Sequence, residues 1–292
     1  MPDCETEGVS RPFAQVDVFG GGPCSGNPVA VVLDAEGMTD EEMQRFARWT
    51  NLAETTFVLP PTRPGADYRV RIFTPVLELP FAGHPTLGTC HAWLEAGGEA
   101  GEEIVQECDA GLVRIRREAE RSSPRIPGTS AFAFAAPPMV RSGPASDEDW
   151  AKVAAALKVE PDEMLAVEWV DNGPGWITAL LESPERLLGL RPGPLDFDLG
   201  AVALYPPGSE AAIELRAWAP VNGIAMEDPV TGSLNASVAQ WLLGDGRLTA
   251  PYFAHQGTAI QREGRIHVSQ GDGEIWIGGR TETVIAGTAK PQ

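Results

Sequence analysis

Read along the chain, the apolar positions favour strands over helices. Ala14, Val16 and Val18 alternate with Phe13, Gln15, Asp17 and Phe19, the period of two that marks a strand, and 29–33 is an unbroken apolar run that reads as a buried one. Thr39-Asp40-Glu41-Glu42 is a capping box, and Met43, Phe46, Ala47 and Thr50 give the helix that follows one core face. Asn51-Leu52-Ala53 turns out of that helix into Glu54-Thr55-Thr56-Phe57-Val58-Leu59, a strand that opens on a carboxylate. Tyr68, Val70 and Ile72 alternate with Arg69, Arg71 and Phe73, and residues 104–106 and 112–116 form a hairpin turning at Asp109-Ala110-Gly111.

The second half repeats this order. Residues 131–135 read as a strand, and Ser146 caps a helix carrying Trp150, Val153, Ala154 and Leu157. Gly173-Pro174-Gly175 with the apolar run after it mirrors Gly26-Asn27-Pro28 with its own strand, Ser183-Pro184-Glu185-Arg186 opens a short helix, and 213–218 matches 70–73. Strands flank Glu263-Gly264 and Gln270-Gly271-Asp272-Gly273. For Asn51 to Glu54 no counterpart is legible in the second half, so that carboxylate is read as belonging to one half alone.

Two stretches carry the repeat most clearly. His84-Pro85-x-x-Gly88-Thr89 lies over Asp228-Pro229-x-x-Gly232-Ser233 without a gap, and Arg71-Ile72-Phe73-Thr74-Pro75-Val76 lies over Arg216-Ala217-Trp218-Ala219-Pro220-Val221 upstream. Pro is favoured at the first position of a helix, and Leu87, Cys90, His91, Leu94 and Leu234, Val238, Trp241, Leu242 have helical spacing after it, with Gly97 and Gly244 as stops. Each stretch therefore delivers a helix N-terminus with unpaired N–H groups and a positive dipole. A glycine in a first helical turn costs about 1 kcal/mol against alanine, and close approach of a ligand to the backbone is a use that repays it. If the halves face each other, the two helix starts form a site for a small carboxylate at the N–H groups of residues 83–86, Thr86 included, or 232–233. Two ordinary capped helices in a duplicated fold would show the same spacing. Ala236, Ser237, Val238, Ala239 and Leu242 leave the second helix little polar face, so it is expected to be buried on most sides. The predicted architecture is α+β: two pseudo-equivalent domains, each a curled β-sheet wrapped around a central helix.

Length and composition bound the rest. A chain of 292 residues suits about two domains. The expected division is a disordered polar tail over 1–10, an N-terminal domain over 11–130 and a C-terminal domain over 131–280, the boundary falling in the linker-like Arg121-Ser122-Ser123-Pro124-Arg125-Ile126-Pro127-Gly128-Thr129-Ser130. A net charge of −19 argues against nucleic acid or an anionic membrane as partner. The four cysteines form no CxxC pair and no metal spacing, which fits reduced thiols in a cytoplasm, and there is no signal-like or transmembrane run. Gly20-Gly21-Gly22-Pro23-Cys24-Ser25-Gly26 mimics a phosphate loop, but Asn27-Pro28 stands where Lys-Ser/Thr would, which excludes that mode of nucleotide binding.

At this point the residues resemble a known family. Ser25-Gly26-Asn27-Pro28, Asn51-Leu52-x-Glu54-Thr55-x-Phe57, Phe81-x-Gly83-His84-Pro85-Thr86-x-Gly88 and Glu227-Asp228-Pro229-x-Thr231-Gly232-Ser233 look like the signature blocks of the PhzF phenazine-biosynthesis family, in order, within a similarity from about residue 13 to about 285. The resemblance implies the diaminopimelate-epimerase-like fold, a site in the cleft between its domains, no cofactor and a homodimer; the sequence shows no metal-ligand cluster, so no metal is expected either. It also implies a last strand, within 281–292, that returns to complete the N-terminal domain. The best-known member isomerises a dihydro-hydroxyanthranilate by moving a proton on its ring. Carried over, Glu54 is the expected proton-shuttling carboxylate, and His84 and Asp228 the side chains that hold the substrate's polar groups beside it. Gly83, Gly232 and Ser233 are the expected carboxylate binders. The fold's epimerases place cysteines at their helix starts; here His84 and Asp228 stand near those positions and Cys90 lies further along, against a two-thiol mechanism. The expected function is a cofactor-independent isomerase acting on a small anionic substrate. An epimerase pairing Glu54 with Asp228 or His84, and a non-catalytic binding protein, are the alternatives.

Overall fold

The computed structural model describes residues 9–118, 129–221 and 223–291. The expected tail, as far as residue 8, and the linker-like stretch over 121–128 lie outside the described residues. The first half runs β1 (Arg11–Val18), β2 (Asn27–Val32), α1 (Asp40–Thr50), β3 (Glu54–Leu59), β4 (Tyr68–Phe73), β5 (Glu78–Leu79), α2 (Gly83–Glu95), β6 (Glu103–Cys108), β7 (Gly111–Arg117) and β8 (Thr129–Ala135). After β9 (Arg141–Pro144) and α3 (Asp147–Leu157), the second half runs β10 (Met164–Asp171), β11 (Ile177–Leu181), α4 (Pro184–Leu188), β12 (Leu199–Leu204), β13 (Ile213–Val221) and β14 (Ile224–Glu227). It closes with α5 (Gly232–Gly244), β15 (Tyr252–Gln256), β16 (Gly264–Gly271) and β17 (Glu274–Ala289).

The two halves pair their strands in one order. β1–β2 is antiparallel, β2–β3 parallel, β3–β4 and β4–β5 antiparallel, β4–β6 parallel, and β6–β7 and β7–β8 antiparallel. The same sequence of directions recurs in β10–β11, β11–β12, β12–β13, β13–β14, β13–β15, β15–β16 and β16–β17. The long β17 joins them: its start pairs with β16 and β8, and residues 281–289 pair with β1. That closes a ring β1–β2–β3–β4–β6–β7–β8–β17 in the N-terminal half.

Each sheet curls around one helix. Leu87, Cys90 and Ala92 of α2 and Leu234, Ala236, Val238 and Leu242 of α5 share a core with the inward residues Val16, Val29 and Val58 of one sheet and Val202, Leu215 and Val268 of the other. The outer faces carry the amphipathic helices. Met43 and Phe46 of α1 pack on Phe57 and Phe73, and Val153, Leu157 and Leu187 of α3 and α4 pack on Leu199, Ala201 and Ala203. Among the described residues no helix is long and apolar enough to cross a membrane.

The structure moves the register of the internal repeat. Arg71 forks onto Glu78 (2.7 and 2.6 Å) and Arg216 forks onto Glu227 (2.9 and 2.5 Å), across equivalent hairpins in which Phe73 faces Glu78 and Trp218 faces Glu227. Counting on from those glutamates, Gly83 is the counterpart of Gly232, and His84 that of Ser233. Asp228 corresponds to Leu79, and so lies outside α5, whose N-cap is Thr231. The gapless match paired the wrong prolines: Pro85 is inside α2 and Pro229 precedes α5, because the hairpin between Trp218 and Glu227 is four residues longer than the one between Phe73 and Glu78. After α5 the left-handed glycine is Gly246 (φ 68°), as Gly97 (φ 96°) is after α2, and Gly244 is the last helical residue.

Candidate active site

The two central helices start against each other. A methyl group on Gly83 would stand 2.7 Å from the Cα of Gly232, and one on Gly232 would stand 2.8 Å from the Cα of Gly83. The space freed by the missing side chains is taken by the other helix, and Phe134 closes it from below Gly83 at 2.8 Å. Thr39, Ser146 and Ser183 cap α1, α3 and α4 with side-chain hydrogen bonds, whereas neither α2 nor α5 has a side-chain cap. Helical bonding begins with the N–H of Thr86 to Ala82 and the N–H of Asn235 to Thr231, so the donors ahead of them are not used by the helices. Two positive helix ends thus converge on one spot, which suits an anion.

Glu54 reaches this spot from the head of β3. The left-handed Asn51 (φ 55°) ends α1 and sends the chain straight into that strand. Along β3, Val58 joins the core around α2 and Thr56 accepts a hydrogen bond from Thr89 of α2, so Glu54 falls on the same helix-facing side. Its Oε2 lies 3.2 Å from Nε2 of His84, off the line of a hydrogen bond, and neither atom has another partner among the described residues. Burial, with Asp228 nearby, pushes the Glu54 carboxyl up to about 8, and burial pushes the His84 imidazole down to about 3 against a hydrogen bond to the backbone of Pro28. At neutral pH the pair is therefore a protonated acid facing a neutral imidazole.

Asp228 comes from the other half. Its Oδ1 accepts from Asn27 (2.8 Å) and its Oδ2 from the hydroxyl of Thr231 (2.6 Å), while burial raises its carboxyl to about 6. Asn27 is the hub that sequence reasoning left out of the site. Its Nδ2 lies 3.2 Å from His84 Nδ1 and also donates to the carbonyl of Val230 (2.9 Å), an acceptor-only group that fixes which way the amide points. The signal was present in Ser25-Gly26-Asn27-Pro28: a polar residue at the very start of a buried strand.

The remaining expected residues divide. Ser233 is at the start of α5, its hydroxyl accepting from the indole of Trp176 (3.1 Å) and its carbonyl from the amide of Asn172 (2.8 Å). Thr86 is wholly buried and supports the helix start from within: its hydroxyl donates to Ala82 and accepts from Gln106, both at 2.9 Å. Cys90 is buried along α2, away from both helix starts. Among the described residues no group of three or more His, Cys, Asp or Glu side chains is placed to hold a metal ion.

Residues 16–289 match a family model described as phenazine biosynthesis-like protein, PhzC-PhzF. The chain is 34% identical to a trans-2,3-dihydro-3-hydroxyanthranilate isomerase of Pseudomonas aeruginosa, over 90% of this chain and 91% of that protein. It is 33% identical to antisense-enhancing sequence 1 of Schizosaccharomyces pombe, over 94% and 97%. A PhzF-family protein from Bacillus anthracis superposes with a TM-score of 0.79 at 22% identity, covering 96% of this chain and 99% of that one, a likeness of fold.

Proposed function

The chain belongs to the phenazine biosynthesis-like family, PhzC-PhzF, and from that membership we propose that it is an isomerase moving a proton between carbons of a small carboxylate substrate by general acid–base catalysis. The observation that carries this reading is Glu54: a carboxyl raised to about 8, opposite a neutral imidazole, beside two uncapped helix starts. The substrate carboxylate sits against the N–H groups at the starts of α2 and α5. Ionised Glu54 takes a proton from an acidic C–H, and the electron pair moves into the conjugated system next to the carboxylate. Protonated Glu54 then returns the proton at the far carbon, so that no net proton or electron is gained. His84, Asp228 and Asn27 hold the substrate's other polar groups and keep the ring oriented. A group with a pKa near the working pH serves both steps, since it is a useful base when ionised and a useful acid when protonated.

Relatives named for trans-2,3-dihydro-3-hydroxyanthranilate supply the first compound to assay. Glu54→Gln is expected to fold and to bind, yet to lose on the order of 10²–10⁴ in turnover. Solvent-deuterium uptake into product, followed by mass spectrometry beside turnover, is the measurement. Turnover near the wild-type rate in Glu54→Gln would remove Glu54 as the shuttle. Deuterium entering with inversion at a single carbon would make the enzyme an epimerase instead.

A further inference from the structure

The shared topology gives Glu54 a counterpart that the sequence concealed. In the first half Thr55 pairs with Phe73, and Phe73 pairs with Glu78; in the second half Leu199 pairs with Trp218, and Trp218 with Glu227. The equivalence of those two hairpins makes Leu199 the counterpart of Thr55, and Asp198, one residue before it, that of Glu54. The faces agree as well. Glu54, Thr56 and Val58 look toward α2, and Thr55 and Phe57 look away. Phe197, Leu199 and Ala201 belong to the outer core under α3 and α4, whereas Val202 joins the core around α5 and a side chain at Gly200 would meet Leu234 of α5 at 3.0 Å. Asp198, between Phe197 and Leu199, therefore falls on the α5 side, at the end of β12 nearest the start of that helix.

Its surroundings are short of partners. The Asp198 side chain is half-buried and takes part in no hydrogen bond or ion pair among the described residues. Asp171, whose charge acts on it, has its Oδ1 occupied by the N–H groups of Gly173 and Gly175, both at 2.7 Å. Burial and that neighbouring carboxylate push Asp198 up to about 6. Asn172, which anchors the first turn of α5 by donating to Ser233, leaves its own Oδ1 enclosed and unpartnered. The hydroxyl of Thr178, a fully buried residue on β11 facing Gly200, is unpartnered too. Enclosed acceptors without donors cost stability, and a half-buried carboxylate beside a second one adds to that cost. The cost is offset when a ligand brings the missing donor.

We propose that Asp198 is a substrate-binding residue, lining the half of the site opposite Glu54 and accepting a hydrogen bond from an amine or hydroxyl of the substrate. This rests on the reading of the helix starts as a carboxylate site and adds the group at the other end of the substrate. A substrate with a carboxylate and one donor substituent would then span the two halves, its carboxylate at the free N–H groups of the two helix starts and its donor on Asp198.

The test uses three ring carboxylates titrated into the full chain by calorimetry: benzoate, anthranilate, which adds an amine, and salicylate, which adds a hydroxyl. In Asp198→Ala, anthranilate or salicylate is expected to weaken by about tenfold or more, the worth of a hydrogen bond to a charged group, while benzoate is unchanged. Which of the two weakens names the donor. Asp198→Asn keeps an acceptor oxygen and should recover part of the loss. The melting temperature of Asp198→Ala should hold or rise, because an unpartnered carboxylate has been removed; a structural aspartate would lower it. Equal weakening of all three ligands, no weakening of the two with donors, or a lowered melting temperature would overturn the assignment of Asp198 and leave the carboxylate site standing. Failure of the wild type to bind any of the three overturns the carboxylate site itself, and the Asp198 proposal with it.

Discussion

At the scale of single residues, the site is a set of titratable groups moved off their ordinary values by enclosure. Glu54 keeps its proton to about pH 8 in the folded chain, against 4.5 for an ordinary glutamate. The folded state thus binds more protons than the unfolded chain between those values. The stability this gives is complete below about pH 4.5 and is lost as pH rises through 8. His84 acts in the opposite sense: its imidazole is protonated only near pH 3, against 6.5, so its contribution is complete above 6.5 and is lost as pH falls toward 3. Glu54→Gln removes the first dependence and keeps the second. Its melting temperature, compared with wild type, is expected to be similar at pH 5, increasingly higher from pH 6 to pH 8 and a constant amount higher above that, with the acid limb unchanged. Thermal scans across that range check it; a gap that narrows as pH rises would contradict the buried, protonated state of Glu54. At this scale the family blocks made Glu54, His84 and Asp228 legible. Asn27 stood in one of those blocks without a role assigned to it, and Asp198 was not legible at all, because its place follows from strand pairing, which no local motif records.

At the scale of elements, the helices fall into two kinds. The surface helices α1, α3 and α4 obey ordinary capping rules, which made their starts readable from Thr39, Ser146 and Ser183. The central helices break those rules: they begin on glycine, without side-chain caps, pressed together. Substitution should separate the two kinds. Ser146→Ala is expected to cost about 1 kcal/mol of stability and leave turnover unchanged. Gly83→Ala forces a methyl into the Cα of Gly232 and the Phe134 ring, and is expected to cost about 1–3 kcal/mol. It should also lower turnover by displacing the two helix starts. Urea unfolding and turnover of both variants check this. A Gly83→Ala enzyme with full stability and activity would show that the close helix contact is dispensable.

At the scale of the whole molecule, β17 decides how the halves hold together. It closes the N-terminal ring through β1 and β8 and continues the C-terminal sheet through β16. Deleting residues 281–292 leaves the β16 pairing intact but removes the antiparallel partner of β1. The truncated chain is expected to show rapid amide exchange in β1 and β2 ahead of β10–β13. Hydrogen-exchange mass spectrometry reads this directly. Uniform protection across both halves would mean that the closure by β17 is not needed.

The sequence by itself did not reveal β5, β9, β10, β12 or β14, but it determined the helices and most strands of the first half, the duplication and the blocks around Glu54, His84 and Asp228. Each of these rests on short-range physics: alternation, capping residues, and glycine and proline at fixed offsets. The register of the repeat came out wrong, because a gapless comparison weighs side-chain identity and cannot see that the second hairpin is four residues longer than the first. Only the tertiary structure showed that Gly83 meets Gly232, that Asn27 joins His84 to Asp228, and that Asp198 stands where Glu54 stands in the other half. Those relations are set by hydrogen-bonded register and by packing between residues far apart in the chain, and burial at the junction of the halves is what raises the pKa of Glu54 and Asp228.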